Sequence, residues 1–118
     1  MAAEANYEVW FADLGRCLAD LEVEERRCAR LSADELARVE RMSDSDQRRL
    51  WRAAHIALRD ILERICGPDI RGVPFVSLTG GRPELAQGLA ARSDGARVSF
   101  SLSHTADVAL IGISRTGA

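Results

Sequence analysis

The first third of the chain interleaves short apolar groups with charge, and the spacing predicts a strand followed by two helices. Residues 7–14 mix aromatic and β-branched side chains, which indicates a first strand. Weak helical spacing over 17–30 follows, in a segment dense with charge. Ser32 and Glu35 then form a capping-box pattern, in which each side chain satisfies an otherwise unpaired backbone N–H. A short helix is therefore expected from about 33 to 42.

The strongest helical pattern begins after the polar break at 43–46, which is rich in N-cap residues. Its apolar residues recur at helical spacing: Leu50, Ala54, Ala57, Leu58, Ile61 and Ile65. We expect charged residues on the opposite face: Arg48, Arg52, Arg59 and Glu63. Gly67 and Pro68 end this helix, as glycine and then proline commonly do. The shorter helix before it should have an inward pair and an outward pair: Leu36 with Val39, and Arg38 with Arg41.

Beyond residue 70 the apolar spacing changes to two. Residues 73–78 indicate a strand, 79–83 a turn and 84–96 an irregular loop. Three apolar residues then alternate with serines, as in a half-buried strand: Val98, Phe100 and Leu102. Residues 108–113 are nearly all apolar, which is typical of a strand covered on both faces, and 103–107 would connect the two strands as a hairpin. The element order predicts an α+β fold with a mostly antiparallel sheet packed by two or three helices.

Composition narrows the class of protein. At 118 residues, 47% hydrophobic and 29% charged, the chain is expected to be one globular domain, residues 1–118. With neither a long apolar run nor a signal-peptide pattern, we expect no membrane association and a cytoplasmic location. The net charge of −2 argues against a general nucleic-acid binder. All sixteen basic residues are nevertheless arginine, whose guanidinium group binds phosphate with two parallel hydrogen bonds.

Two short segments carry candidate chemistry, the turn Gly81-Arg82-Pro83 and the strand sequence from Phe100 to Thr105. Each is weak by itself. A glycine-rich turn before proline is usually only a turn, and a histidine near a strand is more often structural than functional. Ser103 and His104 do not form a hydrolase pair, since no G-x-S-x-G occurs and adjacent strand residues point to opposite faces.

In this order, behind an arginine-rich helix, the two segments resemble the Sfp-type 4′-phosphopantetheinyl transferase family. The family pattern is a G-[KR]-P turn followed by F-N-[LI]-S-H-S, with Ser101 and Thr105 as the two departures here. Residues 31–64 also resemble the family's L-S-x-x-E-x-x-R-x-x-R segment and the helix that follows it. The likeness extends over about 7–114 and implies that the chain resembles one half, the N-terminal half, of the transferase pseudo-dimer.

The resemblance implies transfer of 4′-phosphopantetheine from coenzyme A to a serine of an acyl or peptidyl carrier protein. It places Gly81, Arg82 and Pro83 at the nucleotide, and Ser103 and His104 at its phosphates, with His104 at the 3′-phosphate. Arg38 and Arg41 would add positive charge there, although without these motifs both would be interpreted as a solvated helix face. The family often has a lysine near the position of Glu35, so that particular contact is in doubt.

The resemblance also predicts what this sequence lacks. In the family the Mg²⁺ ligands lie in downstream V-G-[VI]-D and W-x-x-K-E motifs, neither of which occurs here. If a homodimer compensated, as in small synthases, His55 would stand where the metal-binding glutamate falls, and Asp13 would be the one acid near the aspartate position. We therefore expect Mg²⁺ only in the complete enzyme, an inactive isolated chain, and a C-terminal half or second subunit as partner.

Two other interpretations remain open. The chain could be a degenerate, non-catalytic module that binds coenzyme A or a carrier protein. It could also be a small regulatory domain whose arginine-rich helix binds nucleic acid, which the net acidity makes the least favoured.

Overall fold

A three-stranded antiparallel sheet forms one layer of the molecule. The computed structural model describes residues 5–77, 81, 83–86, 88–89 and 97–116. The strands β1 (Ala5–Asp13), β4 (Arg97–Thr105) and β5 (Val108–Thr116) pair in the order β1-β5-β4, with β5 in the centre. The predicted α+β architecture with a mostly antiparallel sheet is confirmed.

The hairpin between β4 and β5 is tighter than the sequence suggested. Pairing continues to Thr105 opposite Val108, so the connection is only Ala106 and Asp107. Ala106 takes a positive φ of 50°, which a two-residue hairpin turn requires. The prediction that 103–107 connect the strands is therefore wrong, because backbone pairing satisfies more N–H and C=O groups than a five-residue loop would. His104 consequently lies within a strand.

The described residues form three helices on one side of the sheet: α1 (Leu14–Arg27), α2 (Ala33–Glu40) and α3 (Ser45–Cys66). The helices α1 and α3 pack against the strands, and α2 packs against α3. Asp13 ends β1 and caps α1, and the capping box of α2 is present as predicted. Gly67, at φ 91°, ends α3, and a 3₁₀ turn at Pro68–Ile70 follows. Among the described residues, no helix combines the length and the apolar character needed to cross a bilayer.

The hydrophobic core lies between α3 and the inner face of the sheet. Leu58, Ile61 and Leu62 of α3 belong to one buried cluster with four strand residues: Val98, Phe100, Ile111 and Ile113. Since the helices cover one face only, Leu110 on the other face is 47% exposed, and the prediction of a strand covered on both faces is wrong. Leu36 is also exposed rather than inward, whereas Val39 is buried as predicted.

The described residues between the 3₁₀ turn and β4 form only two short strands. The strand predicted over 73–78 is reduced to β2 (Val76–Ser77), which pairs with β3 (Pro83–Glu84). Leu78 and most of the predicted irregular loop, 90–96, lie outside the described residues. Phe75 and Leu85 pack against the core, so the segment is held by its apolar side chains rather than by a long ladder.

Candidate functional site

Two adjoining cavities open between the helices and the end of β4. The first, of about 360 Å³, is lined chiefly by rings: Trp51, His55, Phe75, Phe100 and His104, with Leu58, Pro83, Ser101 and Leu102. The second, of about 230 Å³, is more polar and is lined by Ser32, Asp34, Glu35, Arg38, Arg41, Trp51, His55 and Phe75. Trp51, His55 and Phe75 line both, so the two cavities share a wall and together form one cleft.

Four of the predicted site residues lie in this cleft. Arg38 and Arg41 of α2 line the second cavity, and Pro83 of β3 and His104 of β4 line the first. These residues come from three elements that are distant in sequence, and three of the four carry a cationic or protonatable group. A cleft of this kind suits a ligand with several phosphates, since Arg and His donate charge-assisted hydrogen bonds.

The other predicted residues lie elsewhere. Gly81 is exposed at φ 75°, a turn conformation that glycine adopts easily, and it lines neither cavity. Arg82 lies outside the described residues. Ser103 alternates with Leu102 and His104 along β4, so its hydroxyl lies on the opposite face of the sheet. The side chain of Ser103 therefore does not reach a ligand in the cleft.

A buried charged cluster forms the floor of the cleft. Arg59, expected on the solvated face of α3, is only 1% exposed, and its Nη2 lies 2.7 Å from Oε1 of Glu35. Glu35 also receives the backbone N–H of Ser32 at 2.8 Å and contacts Nδ1 of His55 at 2.7 Å. The interpretation of Arg59 as a solvated residue is wrong, because a carboxylate from α2 makes the burial of its charge possible.

Arg59 also holds the wall that the two cavities share. Its Nη1 donates to the carbonyl of Ile70 at 3.1 Å, and its guanidinium carbon lies 4.0 Å from the centre of the Phe75 ring. Its Nε has no hydrogen-bond partner within the described residues. The arginine thus fixes Phe75 from behind by a cation–π contact. Sequence offered one signal for this role, the four-residue spacing of His55 and Arg59 beside the apolar stripe.

The electrostatics of the cluster favour an ionised Glu35. Burial alone would raise the pKa of this carboxyl, but hydrogen bonds from His55 and Ser32 and the charge of Arg59 together hold the pKa below its usual value. The sequence left it open whether Glu35 could make the contact that a lysine makes in the family. Its carboxylate is instead engaged in holding α2 against α3, so Glu35 supports the cleft from within the protein.

His104 is a weak base in this position. Partial burial of the ring, and secondarily the nearby His55, lower the pKa of His104 from its ordinary value. At neutral pH the ring is therefore predominantly neutral in the free protein. A phosphate placed beside it would favour the protonated form, so binding and proton uptake are coupled at this residue.

The described residues do not fit Mg²⁺. Among them, no group of three or more His, Cys, Asp or Glu side chains is close enough together to hold a metal ion. Asp13 accepts the backbone N–H of Arg16 at 3.3 Å as the cap of α1, and His55 is turned to Glu35. Mg²⁺ is usually held by one or two carboxylates together with waters and substrate phosphates, and the position that the resemblance gives to the metal-binding glutamate is occupied here by the imidazole of His55.

Comparison with known proteins defines the class to which this fold belongs. No family model and no curated protein matches the sequence. Among solved structures, the chain is similar to a holo-(acyl-carrier-protein) synthase from Bacillus anthracis str. Ames, determined in complex with CoA (3′,5′-ADP). The TM-score is 0.62 at 14% identity, and the match covers 100% of both chains. The chain therefore has the fold of this synthase, a phosphopantetheinyl transferase. The Sfp type and the N-terminal half that the sequence resemblance implied stay predictions.

Proposed function

We propose that this chain is part of a 4′-phosphopantetheinyl transferase and supplies part of its coenzyme A site. The single observation that carries the proposal is the convergence of Arg38, Arg41 and His104 on one cleft in a chain with this fold. The complete enzyme would move phosphopantetheine from coenzyme A to a serine of an acyl or peptidyl carrier protein. It would serve fatty acid, polyketide or nonribosomal peptide synthesis in the cytoplasm.

The chemistry assigns a limited role to the residues described here. The serine oxygen attacks the phosphorus that bears the pantetheine arm, the bond to the bridging oxygen breaks, and adenosine 3′,5′-bisphosphate leaves. Arg38, Arg41 and His104 would hold phosphate oxygens and offset their charge, which is the main protein contribution in phosphoryl transfer. We place Gly81, Arg82 and Pro83 beside the nucleotide. The sequence resemblance also put Ser103 at a phosphate, but its hydroxyl lies on the other face of the sheet.

The site requires a partner in this proposal. Mg²⁺ would supply charge stabilisation at the transferred phosphoryl group, but its carboxylate ligands would come from a C-terminal half or a second subunit. The outer face of the sheet offers the surface for that partner, with Tyr7, Val9 and Phe11 between 66% and 76% exposed. Isolated apolar side chains are common on surfaces, whereas a contiguous row on one sheet face is typical of an interface.

Coenzyme A binding by the purified chain, measured by calorimetry, tests the proposal. We expect measurable binding, and we expect the Arg38→Gln/Arg41→Gln double variant to bind at least about a hundredfold more weakly, since each of the two lost charged hydrogen bonds costs about 1.5–3 kcal/mol. Arg49→Gln is the matched control, because Arg49 is exposed on α3, pairs with Asp46 and lines neither cavity. Absence of binding by the unaltered chain would contradict the proposal.

A second function is a non-catalytic module that binds coenzyme A or a carrier protein. The lack of a metal-binding cluster within the described residues favours this alternative. An assay with coenzyme A, Mg²⁺ and an apo carrier protein separates the two. We expect no turnover by the chain alone and turnover when a C-terminal half is added. Binding without turnover in both cases would establish the module instead.

A further inference from the structure

His55 occupies the point where the two cavities of the cleft meet. Among the described residues, Trp51 and Phe75 also line both cavities, and they present mainly aromatic surface. Site residues predicted from the sequence lie on either side of His55. Arg38 and Arg41 line one cavity, and His104 lines the other. A ligand that extends from one cavity to the other therefore has to pass the imidazole of His55.

The orientation of this imidazole is fixed from two directions. Its Nδ1 contacts Oε2 of Glu35 at 2.7 Å, and its ring stacks on Trp51 with the ring centres 3.7 Å apart at 17°. Glu35 is itself held by Arg59 and by the N–H of Ser32. Because Nδ1 is engaged, the ring nitrogen left for a ligand is Nε2, which has no hydrogen-bond partner in the described part of the chain.

The charged groups around His55 favour an anionic ligand. On the α2 side, His55 faces four charged residues: Asp34, Glu35, Arg38 and Arg41. On the β4 side it faces His104, and Arg59 of α3 lies behind it. Glu35 is neutralised by Arg59 at 2.7 Å, which leaves Asp34 as the acid that opposes an anion. The two arginines outweigh Asp34 in the second cavity, and His104 lines the first cavity on the other side of the shared wall.

We infer that His55, positioned by Glu35, binds a phosphate of a nucleotide that spans both cavities. This inference rests on the proposed function and adds to it a ligand-binding residue that the sequence motifs do not contain. The imidazole Nε2–H would donate to a phosphate oxygen between the guanidinium groups of α2 and the ring of His104. Glu35 acts only through His55 and is a positioning residue.

Two substitutions of His55 separate binding from structure. An asparagine side chain places its amide nitrogen near the position of Nδ1, so His55→Asn keeps the hydrogen bond to Glu35 and removes Nε2. Glutamine reaches the position of Nε2 but gives up the Glu35 contact. If His55 binds phosphate, the wild type binds coenzyme A most tightly, His55→Gln more weakly and His55→Asn most weakly. Thermal stability follows a different order, in which His55→Gln has the lowest melting temperature.

Calorimetry with coenzyme A and thermal melting measure the two orders. We expect His55→Asn to weaken coenzyme A binding by about tenfold to a hundredfold, the range for a charged hydrogen bond. Arg64→Gln, an exposed substitution on the same helix that lines neither cavity, should bind as the wild type does. If His55→Asn binds coenzyme A as tightly as the wild type, His55 is only structural and the inference fails while the proposed function stands. If the wild type does not bind, both fail.

A measurement on the unaltered chain removes the dependence on a folded variant. The imidazole ¹⁵N resonances of the two histidines are followed by NMR while coenzyme A is added, with assignment through His104→Asn. We expect the Nε2 resonance of His55 to shift as coenzyme A saturates the chain, as it does when a ring nitrogen gains a hydrogen bond. Saturated binding with Nε2 of His55 unchanged would overturn the inference.

Discussion

The two sides of the sheet differ in what they bury. On the side covered by the helices, here called the inner face, Arg59 and Glu35 are buried and form an ion pair at 2.7 Å. On the outer face the protein leaves Tyr7, Val9 and Phe11 uncovered, although they are apolar. The contrast shows that this chain completes its own inner face, including the floor of the cleft, and leaves the outer face exposed to solvent.

The outer face is also shaped for close contact. Tyr7, Val9 and Phe11 of β1 lie beside Ser114, Gly112 and Leu110 of β5 in the register of the sheet. A side chain at Gly112 would have its Cβ only 2.7 Å from the Ser101 hydroxyl, so glycine permits the neighbouring strand to place a serine there. The result is a low surface in the middle of the sheet, flanked by exposed apolar residues.

The largest effect should come from breaking the buried pair of the inner face. Glu35→Gln leaves the Arg59 charge buried without its carboxylate, and we expect a loss of about 3–5 kcal/mol in the free energy of unfolding. Urea denaturation measures it. Asp46→Asn breaks a pair whose side chains are 66% and 77% exposed, and it should cost no more than about 1 kcal/mol.

The pH dependence of the same pair provides an internal check. The folded state lowers the pKa of Glu35, so its contribution is present above the usual glutamate pKa and is lost as the pH falls through the lowered value. The wild-type chain should therefore lose stability in that acid range more steeply than Glu35→Gln. A small cost of Glu35→Gln at neutral pH, comparable to that of Asp46→Asn, would mean that the inner face does not depend on the pair.

The next effect concerns the outer face. Val9→Asp places a charge in the apolar row, and we expect it to weaken self-association, or association with a C-terminal half, by about a hundredfold. Val23→Asp is the matched control, because Val23 is 44% exposed on α1, away from the sheet face. Sedimentation over a range of concentrations measures the association. Equal behaviour of both variants and the wild type would show that this face is not the interface.

The smallest expected effect is a pH dependence of coenzyme A affinity, which should distinguish His104 from its neighbour Ser103 on the other face of the sheet. Because the pKa of His104 is lowered in the free chain, phosphate binding should take up a proton, and coenzyme A affinity should rise as the pH falls toward the ordinary histidine range. The rise is at most about tenfold per pH unit for one proton. His104→Asn should flatten this slope in calorimetric titrations, whereas Ser103→Ala, on the outer face, should leave it intact. If Ser103→Ala removes the pH dependence of coenzyme A affinity, the ligand binds at the outer face of the sheet rather than in the cleft.

Local patterns predicted most of the elements but not all of their surroundings. The capping box at Ser32 and Glu35 and the glycine after α3 act over a few residues, so the helices follow directly from the sequence. Ser103 and His104 were considered together as a motif, yet strand alternation separates their side chains. Ser103 and His104 lie in the hairpin because β4 pairs with β5 up to Thr105. The alternation of apolar residues in β4 alone does not specify how far that pairing extends.

The sequence by itself determined the element order, the caps and the amphipathic stripe of α3, because each depends on residues within one or two helical turns. Only the tertiary structure decided which charged side chains are buried. Arg59 is buried because Glu35, 24 positions earlier in the chain, reaches it from another helix, and His55 faces the cleft because that same carboxylate holds its Nδ1. The energy of a buried charge depends on its partner, and spacing along one helix contains no information about a partner from another element.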